Sequence, residues 1–106
     1  MQKSLTTFII LFSIFSFSQE ITIKGSIKDN KNRSIQNASV SLLDENNDFL
    51  GYDFTNENGL YSISFDKTKN QTIKIEISCL GYKKITQTIN ATNQNLNYQL
   101  EEKIES

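Results

Sequence analysis

Run after run of this chain alternates apolar and polar residues with a period of two, and past residue 18 no stretch holds a helical period. The clearest run is Thr72 to Ser78, where Ile73, Ile75 and Ile77 alternate with Lys74, Glu76 and Ser78. Successive side chains of a strand point to opposite faces, so each such run must hide one face from water. The β-branched residues suit a pleated, half-buried surface. Ile21, Ile23, Gly25 and Ile27 form the inward set of a first strand, and Ala38, Val40 and Leu42 that of a second. Phe49 to Thr55 is a third, with Leu50, Tyr52 and Phe54 on one side; Leu60 to Phe65 is a fourth, with Tyr61, Ile63 and Phe65 together. After the Ile73 run, Lys83 to Ile89 is a sixth with Ile85 and Ile89 inward, and Leu96, Tyr98 and Leu100 mark a short seventh.

Polar, turn-forming stretches separate these runs at roughly ten-residue spacing, which predicts an antiparallel sandwich or small barrel. Because every strand hides one face, two sheets must meet face to face. The expected fold is therefore a seven-stranded antiparallel β-sandwich. Asn58-Gly59, between the third and fourth strands, is a strong hairpin signal, since both residue types tolerate positive φ. Gly25 falls on the inward face, where it leaves room for a bulky neighbour or a close backbone. Ile35, alone among polar residues, is expected to tuck under the sandwich, and Glu101 to Ser106 reads as a frayed, charged tail. Asn is abundant and Pro absent, which we assign to compositional bias.

Residues 1–18 read as a signal peptide: Lys3 precedes an apolar run from Leu5 to Phe15, and Ser16-Phe17-Ser18 offers small residues at a cleavage site. The apolar run is short of the ~20 residues that span a bilayer, so no transmembrane segment is expected after cleavage. Residues 19–100 would form the sandwich domain and 101–106 the tail. The remaining chain carries a small net negative charge, which counts against a nucleic-acid partner. Cys79 is the sole cysteine, so no internal disulfide can form; its place beside Ile77 and Leu80 predicts a buried, inert thiol.

There is no His, which removes the usual general base and most catalytic zinc sites. Asp44, Glu45, Asp48, Asp53 and Glu57 sit in or near turns, where carboxylates are solvated rather than paired for glycoside hydrolysis. No catalytic residue, resident metal or cofactor is expected. Calcium is the sharper alternative: Asp44, Asn46 and Asp48 alternate, and Asn56 and Asn58 precede Gly59, so oxygen ligands could gather at the loops. A glycan is the other alternative ligand, although without Trp, and with Tyr52, Tyr61, Tyr82 and Tyr98 read as core-edge residues.

Three stretches occur in a characteristic order: Ile23-Lys24-Gly25-Ser26-Ile27-Lys28-Asp29 followed by Ile35-Gln36-Asn37-Ala38-Ser39-Val40, then Thr55-Asn56-Glu57-Asn58-Gly59-Leu60-Tyr61-Ser62-Ile63, then Ile77-Ser78-Cys79-Leu80-Gly81-Tyr82. Together they resemble the carboxypeptidase regulatory-like domain, a small transthyretin-like (prealbumin-like) β-sandwich. Gly25, Asn58, Gly59, Gly81 and Tyr82 carry the resemblance as structural markers. Asn32-Arg33-Ser34 stands where the family usually has Gly and Pro, and Asn56 where it usually has Asp; both keep turn chemistry. In bacteria of the Bacteroidetes type such a module often precedes the plug of TonB-dependent outer-membrane receptors. The resemblance thus implies a non-enzymatic, exported module that acts by protein contact, alone or as a piece of a receptor. Its partner would be a neighbouring domain or an outer-membrane component, and its location the periplasm, the outer membrane or the cell exterior.

Overall fold

The computed structural model describes residues 19–67 and 71–104, so the expected signal peptide lies outside the described residues. Among the described residues eight strands form two sheets: β1 (Glu20–Asp29), β2 (Ser39–Leu43), β3 (Phe49–Phe54), β4 (Leu60–Asp66), β5 (Thr72–Ser78), β6 (Ile85–Asn90), β7 (Gln94–Asn95) and β8 (Tyr98–Leu100). In the first sheet β1 lies between β4 and the β7 and β8 segments; the second runs β3-β2-β5-β6. Among the described residues no helix is long and apolar enough to cross a membrane.

The alternation is satisfied by register. Ile23 stands opposite Ile63 and Ile21 opposite Phe65 in the first sheet. Val40 stands opposite Ile77, and Leu42 opposite Ile75, in the second. These inner faces meet in one core whose centre holds Ile23, Ile27, Val40, Leu42, Ile75 and Ile77, all fully buried. Burying each such side chain contributes roughly 1.5–3 kcal/mol relative to exposure. Ile35 is buried as expected.

The all-β sandwich expected from the alternation is the fold, with two differences of detail. The last strand divides into β7 and β8, and both run parallel to β1. The division falls at Gly25. The Leu96 carbonyl sits where a Gly25 Cβ would project, only 1.8 Å from that position, and interrupts the ladder between the two segments. Tyr61 Oη donates to the same carbonyl at 2.7 Å, and Leu96 N–H donates to Lys24 O at 2.8 Å.

The second difference concerns Asn58-Gly59. β3 pairs with β2 and β4 with β1, so the turn carries the chain from one sheet to the other instead of closing a hairpin. Gly59 has φ +73°, but Asn58 is not among the residues with positive φ. Gly59 is held against the first sheet: its carbonyl accepts the Ile27 N–H at 2.8 Å. A Cβ there would stand 2.7 Å from Ile27 O. Gly59→Ala is expected to cost about 2 kcal/mol, combining left-handed strain with a backbone clash. Gly59→Asn should retain much of that loss, since Asn eases φ but keeps the Cβ; urea melts of the two variants check this.

Three further expectations change. A register shift between Leu42 and Leu43 leaves Leu50 without a partner, so Leu50 turns to the core while Tyr52 and Phe54 face water. Glu101 to Lys103 is not frayed: Lys83 N–H donates to Glu101 O, Lys103 N–H donates to Gly81 O, and Tyr82 bridges Glu102. Finally, the asparagines have structural work. Asn32, Asn37 and Asn47 all hold positive φ, near +65°, where Asn is the least strained residue after Gly.

Candidate functional site

The loop residues considered as calcium ligands belong to a repeated turn. In Asp44–Asp48, the Asp44 Oδ1 accepts the N–H groups of Asn46 (2.8 Å) and Asp48 (2.9 Å), while Asp44 N–H donates to Asp48 O. In Asn56–Leu60, the Asn56 Oδ1 accepts the N–H groups of Asn58 (2.9 Å) and Leu60 (3.0 Å), while Asn56 N–H donates to Leu60 O. Asp29–Arg33 repeats the pattern, with Asp29 Oδ1 accepting from Lys31 and Arg33. The fourth residue of each turn, Asn47, Gly59 or Asn32, has positive φ. The leading Asp or Asn thus closes the loop from inside.

That closure decides what these residues can do. The Asp44 and Asn56 turns lie at opposite ends of the β2–β3 pair, whose register runs from Ser39 opposite Phe54 to Leu43 opposite Phe49. At ~3.3 Å per residue the separation is about 17 Å. Asp44, Asn46 and Asp48 therefore do not converge with Asn56 and Asn58. Among the described residues no group of three or more His, Cys, Asp or Glu side chains could hold a metal. Asp29 is buried, and its carboxyl is held below the usual carboxylate range, chiefly by the Arg33 N–H, with help from Lys31 N–H and the Arg33 guanidinium at 2.8 Å.

The other marked residues are also structural. Burial raises the Tyr61 hydroxyl well above its usual range, as its place over Leu96 O requires, and raises Tyr98, which bonds Gln87 Oε1. Gly81 has φ +91° in the turn where Tyr82 N–H donates to Cys79 O, and Tyr82 packs on the core. Cys79 is partly exposed against the core margin, less buried than its neighbours suggested.

What the alternation did not reveal is an exposed aromatic strip on β3. Phe49 is 69% exposed, Tyr52 65% and Phe54 55%. The Tyr52 and Phe54 rings meet edge to face, with centroids 6.0 Å apart. Their cross-strand partners on β2 are Ser41 and Ser39, so small polar residues border them instead of apolar cover. That serine pair was the available signal, because core-facing aromatics would have larger apolar neighbours.

The strip lies beside a protected edge. β3 and β4 are the outer strands of their sheets on this flank. Asp53 spans them: its Oδ1 accepts the Phe54 N–H at 2.8 Å and its Oδ2 the Ser62 N–H at 3.0 Å. One carboxylate thus occupies edge donors of both sheets, a recognised way to block strand addition. The face of β3 remains available where these edge donors are taken.

Among solved structures the chain is similar to catechol 1,2-dioxygenase from Acinetobacter radioresistens, with 12% identity and a TM-score of 0.65 over 83% of this chain and 53% of that one. It is also similar to the shaft pilin spaA from Lactobacillus rhamnosus GG, with 10% identity and a TM-score of 0.64 over 83% and 48%. The Bacillus anthracis TIE protein matches with 13% identity and a TM-score of 0.62 over 78% and 17%. At such identities the likeness is one of fold, and the chain spans about half or less of the length of these proteins. No curated protein matches the chain. The family model of the carboxypeptidase regulatory-like domain matches residues 22–101. That match takes in all three marker stretches and every strand except the first residues of β1, and the chain belongs to the carboxypeptidase regulatory-like domain family.

Proposed function

We propose that the chain is a non-enzymatic, exported module that works by contact, packing the outer face of its second sheet on a neighbouring protein domain. The observation that carries this reading is the exposed pair Tyr52 and Phe54. Aromatic side chains are enriched among the residues that dominate protein contacts, and contiguous exposed apolar surface marks interaction sites. The family is a non-catalytic domain type, and the chain has no His. Export is supported by the charge, apolar run and small residues within positions 1–18. The setting that best accommodates these features is an accessory domain of a TonB-dependent outer-membrane receptor, in the periplasm or at the outer membrane.

Because both rings are largely exposed, Tyr52→Ser with Phe54→Ser should leave stability within about 0.5 kcal/mol of the parent. A photo-cross-linking residue at Tyr52, in the native cell envelope, should join the chain to one protein, and Phe54→Ser should abolish that adduct. Failure to form an adduct, or an equal yield from a control site at Ser64, would refute the contact.

A further inference from the structure

We propose that the outer face of the first sheet, opposite to the aromatic strip, binds an acidic polysaccharide along β1. Three shallow depressions of about 550, 410 and 260 Å3 lie on this face. They join end to end, sharing Lys24 and Asn95 at one junction and Ser26 and Asn97 at the other. From Thr22 to Lys28 the groove runs about 20 Å at strand rise, long and open enough for several linked sugar rings.

The groove is biased toward donors. Asn93 Oδ1 accepts the Thr22 N–H at 2.7 Å, and Asn97 Oδ1 accepts both the Ser26 N–H at 2.9 Å and the Ser26 hydroxyl at 3.1 Å. These bonds stand in for ladder carbonyls where β7 and β8 leave β1 uncovered. They fix each amide with its oxygen toward β1, so each NH2 group, which has two donors and no partner among the described residues, is left for a ligand. Lys24 lies between the two positions on the outward side of β1, and Lys28 follows at the far end. Neither lysine is in an ion pair among the described residues. Amide, ammonium, amide and ammonium donors thus alternate along β1.

A row of donors with two free cations complements a ligand rich in acceptors and negative charge. Glu20, opposite Asp66, lines the outer end of the largest depression, so the groove is acidic at that end and basic from Lys24 to Lys28, which places the acidic groups of the ligand toward the two lysines. A protein partner fits this face poorly. Among the described residues its one exposed large apolar side chain is Leu60, at 47%. Tyr61 and Tyr98, which also line the depressions, are buried and half-buried with their hydroxyls engaged by Leu96 O and Gln87 Oε1, so they offer no protruding anchor of the kind on which protein contacts depend.

Titration of the full chain with a decamer of polygalacturonate, an equally long sulfated dextran, neutral dextran and polyglutamate tests this. Binding of either acidic glycan is expected at 50 mM salt and should weaken about tenfold by 200 mM, as exposed charges are screened; the tighter of the two identifies the acid group. Asn93→Asp with Asn97→Asp keeps the acceptors that hold β1 and turns the outward donors into carboxylate oxygens. It should reduce affinity at least tenfold with an unchanged melting temperature. Should that variant not fold, Lys24→Gln with Lys28→Gln, which breaks no ion pair, should give a comparable loss. Tyr52→Ser with Phe54→Ser should bind the glycan like the parent, separating this face from the protein contact. Absence of binding at 50 mM, equal binding of neutral dextran or polyglutamate, or undiminished binding by the folded Asp or Gln variants would overturn the proposal.

Discussion

Gly25→Ala is expected to destabilise the chain by at least about 3 kcal/mol, lowering the melting temperature by roughly 15 °C. The added Cβ would stand 1.8 Å from the Leu96 carbonyl oxygen and 2.6 Å from its carbon, and neither belongs to a flexible side chain. The Leu96–Asn97 segment must therefore move. Movement forfeits the Tyr61 Oη bond to Leu96, the Leu96 N–H bond to Lys24 and the Asn97 bonds to Ser26. Gly81→Ala is the control for glycine removal as such: φ is +91°, but among the described residues no heavy atom beyond its own chain neighbours lies within 4 Å of the new Cβ. Only the backbone preference is lost there, about 1 kcal/mol. Thermal melts of both variants decide the matter; equal losses would mean that Leu96 does not lie over β1.

Thr55→Val should be comparably damaging despite its matched shape. Thr55 is 2% exposed, its Oγ1 accepts the Ala38 N–H at 2.8 Å, and it donates to Ile35 O at 2.7 Å. Valine fills the space and leaves a buried donor and a buried acceptor unpaired, at about 1–3 kcal/mol each. A total near 3 kcal/mol is expected in urea melts. Thr55→Ser keeps both bonds, loses one methyl group and should cost about 1 kcal/mol. If valine proves as benign as serine, the hydroxyl does not join the loop before β2 to the end of β3.

These two positions show which parts of the structure the alternation could reveal. Ile73, Ile75 and Ile77 were legible as an inward row because a strand's faces follow from local geometry alone. The reach of Gly25 was legible only as space, since the atom that fills it comes from Leu96, some seventy positions onward. The direction of β7 and β8 was hidden for the same reason: pairing partners are chosen by the folded chain, and a short polar run matches either direction. Asn58-Gly59 marked a turn correctly, but a turn within one sheet and a crossing between two sheets use similar residues. The aromatic strip escaped because one unpaired residue, Leu50, reverses which neighbours face the core. The donors of Asn93 and Asn97 were not legible because an amide carries both a donor and an acceptor end, and only the folded chain sets which of them faces β1.

The three self-closed turns also bear on how such a domain can change. In each, one leading side chain and one left-handed residue hold the loop, while the side chains of the second and third residues make no hydrogen bond or ion pair among the described residues. Those are Asn30 and Lys31, Glu45 and Asn46, and Glu57 and Asn58, all exposed. Mutations can therefore rewrite the chemistry displayed at both ends of the sandwich while the scaffold stays intact, and two of the three loops sit together at one end, ready to diverge as a single surface.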